Sequence, residues 1–424
     1  MNIIINSFLE IFKNPVFFIG IITFIGCLFS DSNFTKKISS TIKAMIGMII
    51  LSLGVEAIIK AVTPLSESLK TLFNYTSTVP LADFNTFLNK HGSFIGLIMF
   101  IGFILNIILA RYTKLKTVYL TGNILFWYPM IFLAVGMENK LDGFTLFFFA
   151  LILYMCVITI LPNIIKNHMK YVCGETTFTI GHTSSIFCLI GSYIGKFIGD
   201  KENSAENLNL PKSLDFLKDV NIVSSIIISI IYILVSFFVD TKTSNLLFGN
   251  SPIIFSITQG ITFAAGMVIL LLGVRMIFSE IIPSFSNLSS KLCPNSIPAL
   301  DIPMIFPYGK TSLMIGFIIS LITTISLTTL LSSMNLLAVP LLPMVIACYF
   351  DVAPCAIFAN ARGGLKAAII SSIVSSIILV LLLNVSICLV QNTVGNFIQI
   401  YGGNEFSIWV VISDFIANLI SAIT

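Results

Sequence analysis

Charge is what this chain has least of. Lysine, arginine, aspartate and glutamate make up 10% of its 424 residues, against 56% hydrophobic residues and a mean hydropathy of +1.01. A soluble domain of this length needs far more polar surface, so the composition excludes a soluble enzyme and describes a polytopic helical membrane protein. The apolar start runs directly into the first span, so no cleavable signal is expected. Site chemistry is equally thin. The three histidines are scattered, and the eight cysteines include no Cys-x-x-Cys pair. Dispersed cysteines in apolar segments act as small buried hydrophobes, so neither a disulfide framework, a metal site nor a cofactor is expected. There is no Walker loop, no Gly-x-Ser-x-Gly, no His-Glu-x-x-His, no nucleophile beside a base and no nucleic-acid signature.

What the chain has instead is a repeat. Gly47–Val55 reads GMIILSLGV and Gly266–Val274 reads GMVILLLGV, 219 residues on, with seven of nine positions identical. At the same offset Pro64 meets Pro283 and Leu69 meets Leu288, and after a slip of one residue Pro80-Leu-Ala-Asp83 meets Pro298-Ala-Leu-Asp301. Short matches are common in apolar sequence, but matches following in order are not. A repeat of this length in a membrane chain marks a secondary transporter or channel-like carrier.

Apolar spans are expected at Val16–Ser30, Ile38–Val62, Ser93–Ala110, Val118–Gly136 and Gly143–Ile165. They recur at Asn221–Val239, Pro252–Phe278, Ser312–Leu331, Leu336–Phe350 and Leu365–Leu389, and Ser407–Ile423 is the last. Thr63–Leu88 and Ser279–Tyr308 read as an amphipathic helix followed by a re-entrant turn in each half. Thr176–Ile198, rich in Gly, Ser and Thr, reads as a segment that enters and leaves by one side. Five crossings then precede the second half and invert it. That arrangement puts 17 lysines and arginines on the cytoplasmic side and six outside, obeying the positive-inside rule with the N-terminus outside and the C-terminus inside. The fold class expected is thus all-α and polytopic, with 10–11 transmembrane helices in two inverted five-helix repeats. The whole chain, residues 1–424, is one membrane-embedded unit. It comprises a first repeat (11–165), a re-entrant segment and cytoplasmic loop (166–220), a second repeat (221–389) and a C-terminal helix (390–424).

Six residues stand out as candidate ligands. Asp83 and Asp301 are carboxylates in a hydrophobic setting, where such groups are costly and by default functional. Inversion would bring them together near mid-membrane, where two acceptors can grip opposite edges of a polyol; each can also cap a helix beside its proline. His182 lies among Thr177, Thr179, Thr183, Ser184 and Ser185, while His91 and His168 read as loop residues. His182 is either a ligand or a satisfied buried histidine. Asn123 breaks an apolar span, with Trp127 one turn later, and an indole can stack on a sugar ring or sit in an interface belt. Asn106 and Asn360 read as helix–helix hydrogen-bond glue.

At these residues the chain resembles the IIC permeases of ascorbate-type phosphoenolpyruvate:sugar phosphotransferase systems, and more distantly the galactitol permeases. The resemblance lies in Lys116-Thr-Val-Tyr-Leu-Thr-Gly-Asn123, Phe178-Thr-Ile-Gly-His182, Gly273-Val-Arg-Met276 with Glu280, Ala299-Leu-Asp301, Phe358-Ala-Asn360 with Gly363-Gly364, and the loop Asp200–Asp219. It implies a homodimeric carrier in the bacterial cytoplasmic membrane, with elevator-like alternating access. The sugar would be phosphorylated by a cysteine of a separate IIB protein, itself served by IIA, so the IIC chain holds no catalytic residue. Asp83, Asp301 and His182 stand where the family's ligand contacts stand. Asn123 replaces the family's His, Trp127 a Gln one turn later, and Thr183 a Gln after the Ile-Gly-His. The substrate is therefore ascorbate or another sugar or polyol. The reading from another class is an ion-coupled secondary transporter using Asp83 and Asp301 as coupling sites.

Overall fold

A computed structural model describes residues 15–72, 81–174, 177–208, 220–239, 241–334, 336–337, 341 and 344–422. Six described helices are long and apolar enough to cross a bilayer, and four shorter apolar helices accompany them. The protein is an all-α polytopic membrane protein with one small sheet.

The two repeat openings form the longest helices. Helix α1 is Pro15–Leu28 and α2 is Phe34–Leu72; α9, the counterpart of α2, is Pro252–Leu292. The helices between them are α3 (Phe84–Tyr112), α4 (Gly122–Glu138), α5 (Gly143–Cys173), α6 (Ser185–Phe197), α7 (Val220–Phe238) and α8 (Thr241–Phe248). Helices α1, α2, α7 and α9 pack mainly on one another. The repeated glycines make the tightest contact. A Cβ on Gly54 would stand 2.3 Å from the Leu270 nitrogen, and one on Gly273 would stand 2.3 Å from the Leu51 nitrogen. Likewise Gly47 would meet the Ile277 nitrogen at 2.9 Å, and Gly266 the Ile58 nitrogen at 2.9 Å. As the number rises along α2 its partner's number falls along α9, so the helices run antiparallel. Moving both partners by the repeat offset turns each contact into the other, the signature of a two-fold-related interface. Small residues let two backbones approach this closely in a membrane.

Both helices continue through their proline, where each half was expected to end a span and begin a separate amphipathic helix. Pro64 cannot continue the hydrogen-bond ladder. Tyr232 of α7 fills the gap: its hydroxyl accepts from the Leu65 nitrogen (3.0 Å) and donates to the Ala61 oxygen (2.6 Å). The first re-entrant turn falls partly on residues 73–80, including Pro80, which lie outside the described residues.

The sheet was not foreseen. Strands β1 (Thr117–Tyr119), β2 (Thr179–Ile180) and β3 (Ile297–Leu300) run parallel in the order β1-β3-β2. Non-helical backbone is tolerated at membrane depth only where protein covers it. Here Asn106 and Asn163 cover the free edge of β1. Tyr119 N–H donates to Asn106 Oδ1 (3.0 Å), Asn106 Nδ2 donates to the Thr117 oxygen (3.3 Å), and Lys116 N–H donates to Asn163 Oδ1 (2.9 Å). So Asn106 serves a strand edge as well as a neighbouring helix. The expected span Val118–Gly136 is this strand followed by the 17-residue α4. Of the stretch Thr176–Ile198, Thr176 lies outside the described residues, and the rest holds β2 and the 13-residue α6, about 20 Å long at 1.5 Å per residue.

In the second half, the 3-10 turn Ile302–Tyr308 leads into α10 (Lys310–Ser333). Leu336–Phe350 is not a separate helix over its described part. Its end, Val345–Ala347, runs through a π-helical turn, Cys348–Val352, into α11 (Ala353–Leu389). Gly364 breaks α11 with φ +69°, and a Cβ there would meet the Asp200 oxygen at 2.2 Å. The loop after α6 is clamped into this break: Leu365 N–H donates to the Asn203 oxygen (2.8 Å), and Asn360 Oδ1 accepts from the Ala205 nitrogen (2.7 Å). Asn360 thus ties a loop to a helix. Helices α12 (Gly395–Tyr401) and α13 (Glu405–Ser421) close the chain.

Candidate functional site

The three strands are parallel, so the loops that follow them emerge at one end of the sheet. This is the end where ligands bind in parallel sheets generally. After β1 comes Thr121 at the N-terminus of α4, after β2 comes His182, and after β3 comes Asp301. Three motifs scattered through the sequence are thereby gathered in one place.

His182 is 9% exposed and stands between two carboxylates. Its Nε2 lies 3.6 Å from Asp301 Oδ1, and its Nδ1 lies 3.9 Å from Asp351 Oδ1. The Ser184 backbone N–H donates to Nδ1 (3.2 Å), which assigns the proton of the neutral ring to Nε2, facing Asp301. At 3.6 Å the two groups do not hydrogen-bond directly. That gap is of the size a substrate hydroxyl or a water bridges. Asp301 also accepts from the Ile302 nitrogen (2.8 Å) and caps the 3-10 turn, so its capping role is real and leaves lone pairs over. His91 and His168, read as loop residues, lie in α3 and α5; His168 pairs with Ser192 at 2.7 Å.

A cavity of about 410 Å³ opens in front of these groups. Asp301, His182, Thr183 and Trp127 all line it. Thr183 donates its hydroxyl to Asp351. Trp127 stands within an aromatic cluster, 4.9 Å from Phe397 and 6.2 Å from Phe84 between ring centroids. On the far side the wall is α2, through Met48, Leu51, Ser52, Val55 and Glu56. The cavity therefore separates the α1/α2/α7/α9 group from the elements carrying the sheet.

Asn123 occupies the first turn of α4, and its side chain lies outside what the structure describes. Asp83 does not line the cavity. It caps α3, accepting from the Thr86 nitrogen (3.3 Å) and from Asn396 Nδ2 (2.9 Å), with its side chain exposed. Asp83 and Asp301, expected to meet, do not share this cavity's lining: the equivalent segments lead into different local structures. Pro298 lies in a strand that delivers Asp301 to the site, whereas Asp83 starts a helix held by α12.

Three carboxylates escaped the sequence reading. Asp351, 5% exposed, sits on the π-helical turn and lines the cavity, and Glu56 lines it from α2. Single-turn π-helices recur at functional sites. Glu405, 1% exposed, accepts from Tyr128 Oη (2.8 Å) and from the Ile186 nitrogen (2.7 Å), capping the helix that follows His182. The rule that flagged Asp83 and Asp301, an acid in an apolar setting, applies to all three.

The family model for the sugar-specific permease components of the phosphotransferase system, EIIC-GAT, matches residues 10–402. The chain belongs to this family. It is thus a multi-pass protein of the bacterial plasma membrane. It is also similar to a protein of Mycoplasma pneumoniae described as the ascorbate-specific EIIC component of a phosphotransferase system. The two are 25% identical over 417 residues, a match covering 84% of this chain and 62% of the relative. The chain thus spans less than two thirds of the length of that curated relative.

Proposed function

We propose that this permease binds one small sugar or polyol in the cavity between α2 and the strand ends. It carries the sugar inward by elevator-type alternating access, for phosphorylation by a separate cytoplasmic IIB protein. The observation that carries this reading is the cavity itself, with Asp301, His182, Thr183 and Asp351 on one wall and Trp127 beside them. Carboxylates accept from sugar hydroxyls, and an indole face suits a sugar's C–H surface. Asp83 contributes as a helix cap, and Phe84 next to it supports Trp127.

The reciprocal glycine contacts of α2 and α9 support two inverted repeats, since antiparallel equivalents need opposite membrane orientation. The division of the helices about the cavity supports a moving unit, which holds the sheet, sliding against a scaffold of α1, α2, α7 and α9. In this reading two copies pair through the scaffold in the lipid bilayer.

The test is uptake by cells or proteoliposomes holding the full chain. Sugar should accumulate as its phosphate only with phosphoenolpyruvate and the IIA and IIB proteins present. Accumulation driven by a sodium or proton gradient without those partners would refute the proposal and favour ion coupling.

A further inference from the structure

The last turns of α5 and α6 meet α11 just before its break at Gly364. Gly195 lets α6 and α11 close up there, since a Cβ on it would lie 2.5 Å from the Ala359 oxygen and 3.1 Å from Arg362 Cβ. Cations gather at this junction. The Arg362 guanidinium lies 4.2 Å from the centroid of the Tyr171 ring, and Lys170 Nζ lies 5.2 Å from the same centroid. Lys196, the residue after Gly195, lies over Phe197 at 5.4 Å. Among the described residues, none of the three pairs with a carboxylate. The acids of the neighbouring loop are engaged elsewhere. Asp200 accepts from the Glu202 nitrogen (3.0 Å) and from Asn203 Nδ2 (2.9 Å), and Glu206 caps α10 through the Ser312 nitrogen (2.8 Å). Each helix end here carries only about half a negative charge, so about half of the three cations' charge is left over.

Arg362 is also held in place. It donates to Ser192 Oγ (3.1 Å), and the fully buried Ser192 passes its own proton to His168 Nδ1 (2.7 Å). The Tyr171 ring fixes the plane of the guanidinium. Its other N–H groups have no partner among the described residues, and a planar fork of this kind matches a phosphate.

An apolar track leads away from this point. Ile160, Ile164 and Tyr171 are exposed and share one face of α5, four and seven residues apart. At 1.5 Å per residue the track is about 16 Å long, the depth of one leaflet of a roughly 30 Å hydrocarbon core. Tyr193 and Phe197, both exposed, add aromatic surface at the charged end. Aromatic rings and cations at one level mark the membrane–water interface.

The geometry points to a binding site for an anionic membrane lipid, with its headgroup phosphate on Arg362 and Lys170 and an acyl chain along Ile164 and Ile160. The track favours a lipid over a soluble phosphoprotein, which has no use for an aliphatic stripe running into the bilayer. The site joins α6 and the first part of α11, whose other ends follow His182 and the π-helical turn of Asp351. An occupying lipid therefore steadies the two segments that carry the cavity wall. The inference needs only the membrane placement of the chain, so gradient-driven uptake without partners would leave it standing.

The experiment is a thermal-shift titration of the full-length permease in detergent, with phosphatidylglycerol, phosphatidylcholine and inorganic phosphate as probes. Binding to the folded state raises the melting temperature by mass action. Phosphatidylglycerol should stabilise the protein, whereas phosphatidylcholine, without net charge, and phosphate, without a chain, should do so far less. Arg362→Gln and Lys170→Gln should each weaken phosphatidylglycerol about fivefold, the worth of one cation near an anionic surface. Arg362→Lys keeps the charge and loses the fork and the stack, and should also weaken it about fivefold. Should Arg362→Gln fail to fold, the other two variants carry the test. Lys36→Gln, an exposed lysine of α2, should change nothing. Equal stabilisation by phosphatidylcholine or by inorganic phosphate would overturn the inference, as would an equal loss in Lys36→Gln. It would also fall if Arg362→Lys lost binding of the phosphorylated IIB protein while binding phosphatidylglycerol as the wild type does, for the surface would then belong to a protein.

Discussion

Consider replacing Gly54 and Gly273 by alanine. Each added Cβ would lie 2.3 Å from a backbone nitrogen of the facing helix, and tight real contacts begin only near 3.0–3.4 Å. The obstacle is backbone, which cannot swing aside as a side chain can. Helices α2 and α9 must therefore part by about 1 Å. Overpacking of this kind costs about 1–3 kcal/mol. Because the contacts exchange under the repeat offset, the two single variants should cost about the same. Because the contacts lie side by side, one separation relieves both. The double variant should then cost little more than either single one. That leaves a coupling of about 1–3 kcal/mol, where independent sites would simply add.

Apparent melting temperatures of the purified wild type, two single variants and double variant measure this directly. Transport by the same proteins reports whether a parted helix pair still forms the cavity wall, since Leu51 lies in both the contact and the wall. Two results would refute the reasoning. Unequal singles would mean that the contacts are not reciprocal. Additive shifts would mean that they do not share one helix separation.

Other substitutions test the site and its supports. Asp301→Asn is expected to abolish ligand-induced stabilisation while the protein still elutes as a folded species; failure to fold would show its capping role to dominate. Glu405→Ala strands the Ile186 N–H and the Tyr128 hydroxyl, at about 1–3 kcal/mol each, and should lower melting far more than Glu405→Gln, which retains one acceptor. Tyr232→Phe removes the bridge across the Pro64 break and should cost about 1–3 kcal/mol without altering substrate preference, measured by melting and by competition uptake. Asp83→Ala should cost about 0.5–2 kcal/mol as a lost cap and leave ligand affinity within about twofold; a large loss of affinity would restore it to the binding site.

The sequence made some of this legible and concealed the rest for identifiable reasons. Repeated glycines are a sharp signal and fell on the spans that form α2 and α9, whereas the repeated prolines, read as lying beyond each span, stand inside the helices. Gly363-Gly364, which entered only through the family resemblance, stands at the break in α11, where a glycine pair is the usual punctuation in an apolar run. The strands were hidden. They are two to four residues long and buried, so they show no alternation, and a short apolar strand cannot be told from a helix by period alone. Missing them turned β1 into the start of a span and left three site motifs without a common frame. Asp351 was missed for another reason: the span Leu336–Phe350 was ended one residue short of it. The π-helical turn that carries Asp351 into the cavity has no signature in sequence.

The fate of Asp83 and Asp301 shows what an internal repeat can and cannot predict. Matching residues share a role where their contacts are reciprocal, as those of Gly54 and Gly273 are. A binding site has no such obligation. Two carboxylates related by a two-fold axis would suit a ligand with the same axis, and most sugars have none. The wall made by α2 faces the site while, among the described residues, none of its counterpart α9 lines the cavity, and the acids opposite it come from the end of β3 and from the π-helical turn, which are not repeat partners. Symmetry here belongs to the pair of helices, and recognition belongs to the strands and turns that break it.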